Sequence, residues 1–226
     1  MQKRSKRYTE ARAQVNRETL YPLEEAIGLV KSLKPAKFDE TIELSVQLGI
    51  DAKQTDQQVR TSLSLPHGLG KKVRVVVFTE GENATRAREA GAAEVGSDEL
   101  IAKVEGGWME FDVALATPDM MRKVAKLGRH LGPRGLMPTP KNATVRQDIA
   151  EAVKEFQAGK VELRADAGGN IHAPVGKCSF SPEAINANVR EVLEHLARHK
   201  PIGVKGRYFK TVVLSATMGP GVKIRL

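Results

Sequence analysis

Cys178 is the only cysteine in the chain, so neither an intrachain disulfide framework nor a thiolate metal cluster can be built. No helix start or charge partner near it would make a reactive thiolate, which predicts a small packing residue near a strand end. Long apolar runs are missing as well. None reaches spanning length, and no apolar core follows the basic start MQKRSKR, so the sequence predicts neither a membrane span nor a signal peptide. The expected location is the cytoplasm. Acidic residues are in short supply: 27 Asp and Glu face 36 Lys and Arg, a formal charge of +9. Such an excess favours a polyanionic partner, nucleic acid before a membrane surface.

Catalytic constellations are also missing. HGLGKK superficially suggests a phosphate loop, but its glycines lack both nucleotide-binding spacings, and the segment precedes a strand where a helix is required. His195 and His199 stand one helical turn apart and could share a metal, yet no third ligand is evident, and two surface imidazoles in a last helical turn explain the pattern more simply. Glu24 and Glu25 are adjacent, hence on different parts of a helix surface near its start. The sequence therefore predicts no enzyme, no cofactor, no metal and no small-molecule substrate.

What is present is periodic. YPLEEAIGLVKSLK spaces Leu23, Ile27, Val30 and Leu33 as a helix, and ETIELSVQLGI alternates Ile42, Leu44, Val46 and Leu48 as a strand with one buried face. The short apolar runs VRVVVF and FDVALAT, separated and followed by helix-like segments, predict a parallel sheet covered by helices. From Lys160 alternation returns in KVELRAD and NIHAPVG, followed by the amphipathic helix SPEAINANVREVLEHLARH and the strand YFKTVVLSATMG.

The outer thirds resemble each other and the middle differs, which predicts an insertion. The expected fold class is α+β. Residues 1–67 and 159–226 form a discontinuous two-layer α/β domain, and residues 68–158 an inserted three-layer, Rossmann-like α/β/α domain. Gly68, Gly70 and Gly159 at the two crossings suit a hinge. The outer segments hold 11 basic against 9 acidic and 11 against 5 residues, so +8 of the +9 lies outside the insert.

One stretch of the insert stands apart. LGRHLGPRGLMPTPK, Leu127 to Lys141, packs three glycines, three prolines, a histidine and several cations into one apparent loop. From Pro118 to Arg146 there are seven Lys or Arg and one acid. The loop reads either as a stiff surface connection or as a presenter of positive charge.

That loop, with KFDETIEL, SLPHGLGK, GWMEFDVALATPDMM, IHAPVGK and TMGPGVKI, closely resembles the family of bacterial ribosomal protein L one, and the similarity runs from Lys6 to Ile224. The resemblance implies a two-domain protein of the mobile stalk beside the E site of the large subunit. In the family the discontinuous domain binds large-subunit ribosomal RNA, the same surface binds the messenger of the protein's own operon and represses it, and the stalk contacts E-site transfer RNA. Carried over residue by residue, the RNA face falls on Lys37, Phe38, Thr41, His172, Lys177, Thr211, Thr217, Met218 and Gly219. Position 211 is threonine where serine is expected, which keeps the hydroxyl. Phe38 reads equally as a core residue beside the strand. Arg129, His130, Arg134 and Lys141 are the expected secondary RNA contact, held by Pro133, Pro138 and Pro140.

Overall fold

The computed structural model describes residues 5–34, 36–52 and 54–225; the side chains of Thr55 and Lys141 lie outside this description. In chain order the elements are α1 (Lys6–Ala13), α2 (Leu23–Ser32), β1 (Thr41–Leu48), β2 (Arg60–Ser64), β3 (Val75–Phe78), α3 (Glu82–Glu89), β4 (Glu94–Gly96), α4 (Asp98–Glu105) and β5 (Val113–Ala116). They continue with α5 (Met121–Val124), α6 (Gly128–Leu131), α7 (Ile149–Gln157), β6 (Lys160–Arg164), β7 (Asn170–Lys177), α8 (Pro182–Arg198), β8 (Phe209–Ala216) and β9 (Val222–Lys223). The chain divides into two compact units, Met1–Gly70 with Val161–Leu226, and Lys71–Lys160.

In the larger unit β1 is an inner strand of the antiparallel sheet β7-β1-β8-β9. Its alternation is realised physically: Ile42, Leu44, Val46 and Leu48 are buried and the residues between them are not. Each such side chain removed from water contributes about 1.5 to 3 kcal/mol. Helices α2 and α8 pack against this sheet. The start of α8 is fixed by Ser181, whose side chain accepts from the Ala184 N–H, and by Pro182 in the first turn. Its buried stripe is Ile185, Asn188, Val189, Val192 and Leu196. Asn188 is fully buried within this stripe. Its amide accepts from His67 N–H and donates to the carbonyls of Gly68 and Val175.

Those bonds move the expected domain boundary. His67 and Gly68 are tied to α8, and a Cβ at Gly70, whose φ is +66°, would lie 2.7 Å from the Phe180 ring. The outer unit therefore extends through Gly70, past the expected cut after residue 67. At the other crossing β6 starts at Lys160, and Val161 and Leu163 join the larger core. Gly68 and Gly159 do adopt the left-handed region, with φ of 63° and 110°.

In the inserted unit the parallel sheet has the order β4-β3-β5. Val75, Val77 and Leu115 join one core with α3 and α7, through Ala87, Ile149, Ala152, Val153 and Phe156. Val76, Phe78, Ala114 and Ala116 join another with α4 and the helical turns from Met120 to Leu131. Helix on sheet on helix is the expected three-layer arrangement. The stretch from Leu127 is only partly a loop, however. Helical turns continue through α6 because Leu127 and Leu131, four residues apart, are both fully buried and outweigh the helix-weakening Gly128.

Two carboxylates brace the ends of the insert. Asp112 accepts from Lys71 Nζ at 2.8 Å and from the Arg74 N–H at 3.1 Å. Glu155 accepts from Lys160 Nζ at 2.5 Å and from Arg146 Nη1 at 3.2 Å. Burial alone would raise both pKa values, but these bonds outweigh it and hold both below the ordinary carboxylate range. A pKa lowered by folding stabilises above the unfolded value and is lost as pH falls through the folded value. The inserted unit should therefore lose stability between about pH 5 and pH 2. Urea unfolding followed by fluorescence of Trp108, the chain's single tryptophan, reports this unit alone, and Asp112→Asn with Glu155→Gln should flatten the pH profile. An equally steep profile in the double variant would remove these groups as the cause.

Candidate nucleic-acid interface

The antiparallel register brings most of the carried-over RNA face to one end of the sheet. Thr41 opens β1 opposite Lys177, the last residue of β7, and the chain leaving β8 turns over it through Thr217, Met218 and Gly219. Thr41 and Thr217 are joined by two bonds: the Thr41 N–H donates to the Thr217 side-chain Oγ1 and the Thr217 N–H to the Thr41 carbonyl, both at 3.1 Å. Thr217 Oγ1 also donates to that carbonyl at 3.2 Å, so this hydroxyl is largely used in holding the turn. Lys177 Nζ donates to Thr41 Oγ1 at 2.8 Å, which leaves the Thr41 hydroxyl proton to donate outward. Phe38 is 54% exposed and Met218 48%, so Phe38 lies outside the core and both offer apolar surface to a partner.

Beneath this cluster is a group that the charge pattern alone does not single out. Glu40 is fully buried and its carboxylate accepts from two loops, the Ala36 N–H and the Met218 N–H, both at 2.9 Å. Its neighbour Asp39 accepts from the Ser179 N–H and hydroxyl. The segment before β1, the turn after β7 and the turn after β8 are thereby fastened together. The signal is in the alternation: extended one step backwards, the buried phase of Ile42, Leu44 and Val46 falls on Glu40. Cys178 lies in the same knot and donates its N–H to the Glu40 carbonyl; burial, with the Glu40 charge nearby, pushes its thiol pKa up. It is a packing cysteine.

His172 and Thr211 lie further along the unburied face of the sheet. His172 Nδ1 shares a 3.0 Å hydrogen bond with Ser45 Oγ, and Thr211 pairs with Gln47, six residues from Thr41 and so about 20 Å away. Lys37 is exposed. The nine residues therefore form an end cluster of seven with two outliers along the same face.

His195 of α8 and His199, which caps its C-terminus, behave differently from simple surface imidazoles. His195 Nε2 shares a 2.9 Å hydrogen bond with Thr61 Oγ1, its ring stacks on His199 at 4.1 Å, and burial lowers its pKa. Among the described residues no group of three potential ligands gathers at a metal site.

In the inserted unit Arg129, His130 and Arg134 are exposed, the first two on α6. The Lys141 side chain lies outside the described residues. Two neighbouring cations are already neutralised, Lys123 by Glu80 and Asp98 and Arg146 by Glu155. The far end of the loop is stiffened by Thr144 Oγ1, which accepts from the Thr139 N–H and donates to the Thr139 carbonyl.

Replacing Glu40 by Gln swaps one acceptor for an NH2 group facing a backbone donor, which should cost about 1 to 3 kcal/mol of stability in the larger unit. Amide hydrogen exchange at Met218 and Ala36 should accelerate more than at Val46. Unchanged exchange at those two amides would remove Glu40 as the clasp.

A model of the family described as "Ribosomal protein L1p/L10e family" matches residues 30–220. A protein named "Large ribosomal subunit protein uL1" from Kosmotoga olearia is 55% identical over 224 residues, covering 99% of this chain and 97% of that one. Proteins of the same name from Thermosipho melanesiensis and Fervidobacterium nodosum are 52% and 51% identical, covering 99% and 100% of this chain and 97% of each relative. With the match spanning the sheet, the insert and the knot around Glu40, the chain belongs to the ribosomal protein L1p/L10e family.

Proposed function

We propose that this protein is a structural component of the large ribosomal subunit that binds ribosomal RNA through the end cluster around Thr217–Gly219. The observation that carries this reading is the combination of exposed Phe38 and Met218 with the Lys177–Thr41 donor pair, all seated on one buried carboxylate. Its chemistry suits folded RNA, in which bases are hidden in a narrow major groove and recognition falls to 2′-hydroxyls, backbone and unstacked bases. Gly219 permits close backbone approach, the two apolar side chains meet ribose or base faces, and the hydroxyl and ammonium donors meet oxygen. The role is structural and not catalytic, and the site of action is the cytoplasmic ribosome. Among the described residues no helix is long and apolar enough to cross a membrane.

The same surface serves a second RNA. A messenger of the protein's own operon that folds into the same shape competes for the end cluster, and its capture represses translation. Exposed Arg129, His130 and Arg134, together with Lys141, meet the backbone of transfer RNA at the E site. Rotation of the insert falls on Lys71, Lys72 and Gly159, since Gly68 and Gly70 are fastened to the larger unit.

Met218→Asp adds a repelling charge at the turn and should weaken specific RNA binding by about 1 to 3 kcal/mol, read by gel shift on large-subunit ribosomal RNA. Wild-type affinity would take the turn out of the site. Changing Arg129, Arg134 and Lys141 together to alanine should weaken binding to cognate and noncognate RNA alike. It should also make the log-log salt slope shallower by about 0.7 to 0.9 for each phosphate that is no longer neutralised. The measurement needs intact large subunits with transfer RNA present, and an unchanged slope with unchanged transfer RNA retention would leave the stretch as a rigid connection.

A further inference from the structure

An unassigned run of charge in the larger unit lies at the opposite end of β8. From His195 to Leu226 there is no Asp or Glu, and Lys200, Lys205, Arg207 and Lys210 fall within eleven residues. All four are exposed. Among the described residues none of them has a carboxylate within ion-pair distance. The nearby Glu191 and Glu194 are engaged by Arg198. Asp56, on the facing segment, borders Gly203, where an added Cβ would lie 3.1 Å from its Oδ2, but among the described residues it forms no ion pair with the four cations. Ile202, at the tip, is fully exposed.

The segment carrying these cations is anchored. Val204 and Tyr208 are buried, the Val204 N–H donates to the Pro201 carbonyl at 3.2 Å, and the Gly49 N–H donates to the Tyr208 carbonyl at 2.7 Å. The chain passes so near that a Cβ at Gly49 would collide with the Arg207 carbonyl oxygen. Four cations on a fixed segment, with no described carboxylate neutralising them, make an electrostatic surface that is held in place before any partner arrives. Lys210 directly precedes Thr211 in β8, so its side chain leaves the strand on the side opposite to Thr211, and the segment meets the unburied sheet face only at its edge.

We propose that Lys200–Lys210 is a second contact for the RNA backbone, with Lys200, Lys205, Arg207 and Lys210 meeting phosphates and Ile202 packing on ribose. It lies one β8 length, about 25 Å, from the Thr217–Gly219 turn. The RNA held at the turn then runs along the open sheet face and is gripped at both ends. The turn supplies discrimination and the segment supplies sequence-independent affinity. The proposal rests on RNA binding at the turn, and its test separates the two.

The full-length protein carrying Lys200→Ala, Lys205→Ala, Arg207→Ala and Lys210→Ala is titrated with protein-free large-subunit ribosomal RNA across a salt series. Small-subunit ribosomal RNA serves as the noncognate. Met218→Asp is run beside it. The four-alanine variant should bind both RNAs about tenfold or more weakly, with a salt slope shallower by about 3 for four phosphates left without a cation. Its preference for the cognate RNA should persist. Its hydroxyl-radical footprint should lose protection at sites that Met218→Asp leaves protected. Because all four side chains are exposed, the urea midpoint should match wild type, which excludes misfolding as the cause. An unchanged salt slope and footprint overturn the proposal, whatever Met218→Asp does. Wild-type RNA binding combined with poor incorporation into large subunits also overturns it, since the partner is then a protein. Full activity of Met218→Asp with the predicted loss in the four-alanine variant would sink the turn and leave the segment standing.

Discussion

The larger unit depends on the two-sided pairing of β1. This strand comes from the first segment of the chain, and both of its neighbours, β7 and β8, come from the segment after the insert. Neither segment can close the sheet alone. The core side of β1 is Ile42, Leu44, Val46 and Leu48, which meets α2 from its own segment and α8 from the other. Hydrogen bonding and burial are thus satisfied by the same event. The insert is joined to this unit through β2 and β6, which pair as a separate two-stranded sheet.

The interface is a by-product of that pairing. An antiparallel register places the start of β1, the end of β7 and the end of β8 at one edge, where three loops must be held without a strand to do it. Glu40 and Asp39 hold them by accepting backbone N–H groups from the Ala36 segment, Ser179 and Met218. A buried carboxylate satisfied by two backbone donors is a demanding arrangement, because removing either partner leaves a buried polar group unpaired. It leaves exposed Phe38 and Met218 above it without a packing duty of their own.

Much of this is legible in the sequence and some is not, for definable reasons. The alternation of TIELSVQL and the helical stripe of Ile185, Val189, Val192 and Leu196 are strong periodic signals, and both elements stand where the pattern puts them. β4 has only three residues, too few for a pattern to stand out unaided, whereas α7 does carry a helical stripe in Ile149, Ala152, Val153 and Phe156. Gly128 and Gly132 disguise α6, whose real signal is the pair Leu127 and Leu131. Phe38 is ambiguous in sequence because an aromatic residue next to a strand suits core and contact alike, and only its exposure decides. Glu40 escapes notice because acids are read by their charge, whereas its phase in the strand is the informative property.

The interleaved connectivity has a consequence in time. During synthesis at about 5 to 20 residues per second, β1 emerges on the order of ten seconds before its partners β7 and β8. Throughout that interval both of its edges are open, a template for wrong pairing. The insert, a parallel unit of local segments, can fold meanwhile and draw the two crossings together. The knot around Glu40 cannot form until Met218 has been added, long after β1 has emerged. The surface proposed for RNA therefore matures late, only after both segments of the larger unit have been made.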